Sequence, residues 1–110
     1  MTVLPDIDPY AMRDLETRSC LVQGQELVIL RHDDHWYVYL NSCPHLGIPL
    51  NFIADDFLDL DRQHFICANH GALFRYEDGL CISGPCSGQR LRQFPCVVDA
   101  GRLHVDMLDL

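Results

Sequence analysis

The chain contains no run of about 18 consecutive apolar residues, the minimum for a membrane-spanning helix. Its first thirty residues also lack the apolar core of a secretion signal. These two absences exclude a helical membrane span and predict a soluble, cytoplasmic protein. Positive charge is scarce: Lys plus Arg number 8 against 16 Asp plus Glu, a formal net charge of −8. A nucleic-acid binder needs a basic face, so that class is excluded. The acidic balance suits docking on a basic partner, and equally a surface charged for solubility. Repeats, linkers and low-complexity tracts are absent. So is any constellation for substrate chemistry: His32, His35, His64 and His104 show no ligand spacing, and no carboxylate pair stands out.

What is present is enough apolar material for one core. At 110 residues and 48% hydrophobic, the chain predicts a single domain spanning 1–110. Residues 1–17 say little beyond Asp8-Pro9, which suits the start of a helical turn. From Arg18 the pattern is that of strands. Ser19–Val22 and Leu27–Leu30 read as a hairpin around Gln23-Gly24-Gln25. After a turn at His32-Asp33-Asp34, residues His35–Leu40 alternate, with Trp36, Val38 and Leu40 on one face and His35, Tyr37 and Tyr39 on the other. Further strands are expected at Gln63–Ile66 and Leu73–Tyr76, with a turn at Glu77-Asp78-Gly79. A closing hairpin is expected from Leu91–Asp99 and Arg102–Asp106 around Ala100-Gly101, with Phe94, Cys96 and Val98 on one face. In the stretch Asn51–Arg62, the apolar residues should pack inward while Asp55, Asp56, Asp59 and Asp61 face water. Short strands at close spacing predict an all-β antiparallel barrel or sandwich.

The chemistry lies in two short segments, Cys43-Pro44-His45-Leu46-Gly47 and Cys67-Ala68-Asn69-His70-Gly71. Each offers one thiol and one imidazole and ends in a glycine that frees the backbone to turn away. Two Cys and two His suit a zinc ion, or a two-iron, two-sulfur cluster with Cys on one iron and His on the other. Zinc modules usually place a Cys pair before a His pair. Here the two types alternate, and 21 residues separate His45 from Cys67. A structural zinc module mediating protein contacts is the alternative of a different class. No secretion signal is present, so the remaining Cys20, Cys81, Cys86 and Cys96 are expected to be buried free thiols.

Both segments resemble the cluster loops of the Rieske iron-sulfur family. Cys43–Leu50 is similar to the first loop, Cys67–Phe74 to the second, and Gly84-Pro85 falls where the family places a proline loop over the cluster. The likeness runs over about residues 18–107, with a slightly long inter-loop stretch. It implies a cluster-binding subdomain of two loops on the β scaffold and one Rieske-type [2Fe-2S] cluster, with Cys43, His45, Cys67 and His70 as ligands. It further implies an electron carrier, not an enzyme on its own: a ferredoxin passing single electrons from a flavin reductase to a terminal oxygenase. A permanently bound small subunit of a larger reductase, of the nitrite reductase type, is the alternative. The chain looks self-contained, which favours the ferredoxin.

Departures from the family pattern bear on the potential. High-potential respiratory members carry a disulfide between the loops, plus a Ser and a Tyr that hydrogen-bond the sulfurs. Here those positions are Ile48 and Asn69, Ala72 and Phe74. Without these hydrogen bonds the resemblance implies a potential in the lowest third of the range of about −150 to +300 mV. Cys81 and Cys86 flank Ile82-Ser83-Gly84-Pro85. They are expected to be small thiols of the cover loop, with a redox-active disulfide as the alternative.

Overall fold

An unbroken apolar run, Leu27–Leu30, marks a strand covered on both faces. In the computed structural model it lies at the centre of the molecule, and all four of its residues are fully buried. The structure describes residues 2–44, 47, 49–50, 57–68 and 71–107.

Three antiparallel sheets form three layers. The middle sheet runs in the order β2 (Glu16–Val22), β3 (Gln25–His32), β4 (His35–Leu40) and β8 (Gln93–Phe94). On one face, Leu27, Ile29, Val38 and Phe94 meet Leu4, Leu103 and Val105 of an outer sheet. That sheet is ordered β1 (Thr2–Leu4), β10 (Arg102–Val105) and β9 (Cys96–Asp99). On the other face, Val28, Leu30 and Tyr39 meet Phe65, Phe74 and Cys81 of a small third sheet. Its strands are β5 (Phe65–Ile66), β6 (Leu73–Phe74) and β7 (Cys81–Ser83). Trp36, Val38 and Leu40 do face one core, and Tyr37 and Tyr39 the other.

Two-residue turns close the long hairpins. Gln23-Gly24, Asp33-Asp34 and Ala100-Gly101 all have both residues at positive φ, the geometry whose twist matches that of the flanking strands. The register is set accordingly, with Val22 opposite Gln25, His32 opposite His35 and Asp99 opposite Arg102.

Four details differ from the expectations. An N-terminal strand was not expected: β1 pairs along β10, next to the turn that was, a 3-10 turn over Pro9–Ala11 capped by the Asp8 carboxylate, which accepts from the Tyr10 amide at 3.1 Å. The Gln63–Ile66 strand shrinks to Phe65–Ile66, because the Gln63 and His64 amides donate to the Asp59 carboxylate instead. The Leu73–Tyr76 strand ends at Phe74, and Tyr76 turns into the core. The Leu91–Asp99 strand breaks at Pro95, which has no amide to donate, so β8 and β9 join different sheets. Phe94, Cys96 and Val98 nevertheless share one core. No described helix is long and apolar enough to cross a membrane.

Candidate metal centre

The third layer holds the two Cys–His segments. The first leaves the end of β4, and the second is the turn between β5 and β6. Each begins with a buried cysteine: Cys43 is 1% exposed and Cys67 fully covered. The two turns are built alike. The Gly47 amide donates to the Cys43 carbonyl at 2.7 Å, and the Gly71 amide to the Cys67 carbonyl at 2.8 Å. Both glycines sit at φ near +70, at 71° and 70°, with open space where a Cβ would stand. Their role is therefore backbone conformation, as expected, and not close packing.

Polar links tie the loops to each other. The Asn41 side-chain carbonyl accepts the Leu50 amide at 2.8 Å, bridging the first loop from root to end. The Leu50 carbonyl accepts the Ala68 amide at 2.7 Å, which joins the first loop to the second. The Cys67 amide donates to the Ala72 carbonyl at 2.9 Å and closes the second loop. Asn41 is buried, and sequence reasoning missed it. Its one signal is a polar residue directly after an apolar strand.

The Gly84-Pro85 segment covers the second loop. A Cβ on Gly84 would stand 2.7 Å from the Ala72 Cα, so the two backbones touch. Behind them Cys43, Cys67, Cys81 and Cys86 share one buried cluster. The Cys86 sulfur lies 3.1 Å from that of Cys81 and within hydrogen-bonding reach of Cys43. Burial, then these two thiols, push the Cys86 thiol up to about 12, which keeps it protonated. Cys81 and Cys86 are thus buried, as expected. Cys20 and Cys96 are only half-buried, and no disulfide joins any of the six.

Aromatic packing seats this layer on the scaffold. Phe65 meets Tyr39 and Tyr76 edge-on, with ring centroids 5.3 and 5.4 Å away. The Tyr39 hydroxyl donates to the Tyr76 carbonyl, and the Tyr76 hydroxyl to the Arg62 carbonyl. Burial pushes the Tyr76 phenol up to about 12.

His45 and His70 lie outside the described residues, as do Ile48, Asn69, Asp55 and Asp56. Ala72 and Phe74 are fully buried, and neither carries a hydroxyl. Among the aspartates expected to face water, Asp59 is half-buried: its carboxylate also lies 3.4 Å from His64 Nδ1. Leu60, expected to pack inward, is fully exposed. Among the described residues, one side-chain group is close enough to hold a metal ion: Asp14, before β2, with His32 and Asp33 where β3 turns into β4. The Asp14 carboxylate there is already engaged by the Asp33 amide and the His32 ring.

Two buried thiols in matched turns suit a cluster that takes one cysteine from each loop. Comparison with known proteins agrees. The description of the matching family is Rieske [2Fe-2S] domain, over residues 5–95. Cholesterol 7-desaturase nvd of Drosophila melanogaster is 41% identical over 73 residues, 63% of this chain, and the chain spans 15% of that protein's length. The ferredoxin of carbazole 1,9a-dioxygenase from Nocardioides aromaticivorans IC177 superposes with a TM-score of 0.75 at 21% identity, over 96% of this chain and 97% of its own. A chain in the reduced complex between oxygenase and ferredoxin of carbazole 1,9a-dioxygenase gives 0.80 at 19% identity, over 94% of this chain and 27% of the other. These structural likenesses concern the fold. The family match sets the zinc alternative aside, and the chain belongs to the Rieske [2Fe-2S] domain family.

Proposed function

We propose that Cys43 and Cys67 hold one iron of a [2Fe-2S] cluster as thiolates, that His45 and His70 hold the other, and that the chain carries single electrons from a flavin reductase to a terminal oxygenase. The observation that carries this reading is the matched pair of turns, each opened by a buried cysteine and closed by a glycine at positive φ. When bound, the cluster supplies one-electron transfer between two redox states. The chain's own residues do the rest. The Asn41–Leu50–Ala68 links hold the loops in register, and the Gly84 contact keeps the cover over Ala72. Leu50, Phe57, Phe65 and Phe74 keep water from the cysteine side. Ala72 and Phe74 offer no hydroxyl to the sulfurs, which supports a low potential and reduction by a flavin.

Support for the oxygenase as acceptor comes from the ferredoxin and oxygenase chains of the same fold. The test is stopped-flow spectroscopy with an NADH-dependent flavin reductase and a Rieske oxygenase. The red-brown protein should take one electron per chain from the first and lose it to the second. A colourless, zinc-loaded protein, or a cluster that neither protein reduces or discharges, would overturn the reading.

A further inference from the structure

Cys81 and Cys86 stand outside the paired Cys–His loops, and the electron path has no use for them. The chain nevertheless brings them together with care. The Gly88 amide donates to the Cys81 carbonyl at 3.1 Å and the Cys81 amide to the Gln89 carbonyl at 2.8 Å. Between them, the Ser87 amide donates to the Gly84 carbonyl at 3.3 Å and the Gln89 amide to the Cys86 carbonyl at 2.9 Å. Both ends of the loop are thus tied, and the two sulfurs face each other at 3.1 Å in the buried cluster that holds Cys43. Bonding requires them to close to about 2.05 Å, a shift that side-chain rotation can supply. Ile82, Ser83, Gly84 and Pro85, which join them, are all exposed, so this segment offers a route for a small oxidant. The Cys86 thiol also reaches Cys43, a proposed cluster ligand.

We propose that Cys81 and Cys86 form a reversible disulfide, set by the surrounding thiol–disulfide balance, that removes their thiol hydrogens from the buried cluster beside Cys43 and lowers the cluster's potential. The oxidant is a low-molecular-weight disulfide of the glutathione class. The Cys81 thiolate attacks a glutathione sulfur and expels a glutathione thiolate, leaving a mixed disulfide. The Cys86 thiol then gives up its proton as it attacks the Cys81 sulfur and expels the other glutathione. Two electrons pass from the cysteine sulfurs to the oxidant, and the two thiol protons end on the two glutathione thiols. Thiol dipoles packed beside a ligand sulfur stabilise the reduced cluster, so losing them makes reduction harder. The effect on potential rests on the ligand assignment above; the disulfide itself goes beyond it.

The test uses the cluster-loaded wild-type chain in anaerobic glutathione buffers of rising oxidised fraction, quenched in acid and alkylated. Tryptic cleavage after Arg75 and Arg90 releases Tyr76–Arg90, which holds these two cysteines and no other. That peptide should pass from doubly alkylated to an internal disulfide, lighter by two hydrogens than the dithiol, while the cluster absorption is unchanged. Voltammetry of the two forms should give a lower midpoint for the disulfide. Full alkylation in the most oxidised buffer, a glutathione adduct without ring closure, or equal midpoints would overturn the proposal. Loss of all cluster absorption from freshly prepared protein would count against the ligand assignment instead, and leaves the peptide result readable.

Discussion

The two faces of the middle sheet are built on different principles. Toward β1, β9 and β10 the contacts are aliphatic and come from alternating positions of strands up to eight residues long. Toward β5, β6 and β7 the strands are two or three residues long, and the layer depends on turns, buried amides and two glycine-closed loops. Apolar burial stabilises the first region, where many substitutions of similar volume are tolerated. The second holds its loops in one arrangement through a few specific contacts, and each of these is vulnerable to a single change. A site that must present ligands in fixed positions needs the second kind of construction on top of the first.

The comparison is broken most forcefully from the scaffold side. Leu27→Ala removes a fully buried side chain of the central strand and should cost about 2–5 kcal/mol. Thermal denaturation should show a large fall in Tm, while the folded protein keeps its cluster spectrum. Gly84→Ala attacks the site side. The new Cβ meets backbone at 2.7 Å and sits at φ +108, a region strained for any side chain. The combined penalty is about 3 kcal/mol. Its signature should be faster cluster loss on chelator challenge, with β-sheet circular dichroism retained.

Asn41→Ala leaves the buried Leu50 amide without its acceptor and should cost about 1–3 kcal/mol. Cluster lifetime should shorten more than Tm falls. The smallest effect is at Asp59. Burial raises its carboxyl, but the Gln63 and His64 amides and the His64 ring outweigh that and hold it below the ordinary value. A lowered carboxyl contributes stability that is complete above the unfolded value of about 3.9 and is lost as pH falls through the folded one. Asp59→Asn should therefore lower stability slightly at neutral pH and flatten the fall in acid, so that the two curves converge well below about pH 4.

Legibility in the sequence divides along the same line. His35–Leu40 and the 23–25, 33–34 and 100–101 turns were readable because alternation and turn chemistry are local. The two Cys–His segments stood out by residue type and spacing, and the resemblance to the Rieske family pointed to a cluster in place of zinc. The pairing of β1 with β10 was not, because three residues at an edge carry no periodicity, and their partner lies about a hundred positions away. Asn41 and Asp59 escaped for another reason. Each acts through hydrogen bonds specific to its own turn or loop, and nothing in an Asn or Asp distinguishes that use from a solvated one. The contact of Cys86 with Cys81 and Cys43 likewise depends on how two loops cross.

The central claim is that both segments, including their histidines, hold one cluster. Electron paramagnetic resonance of the reduced protein tests it most directly, with wild type beside His45→Ala and His70→Ala. Wild type should give a rhombic signal from a cluster with mixed ligands, and each variant should lose it while its β-sheet circular dichroism persists. An unchanged rhombic signal in either variant would contradict the account.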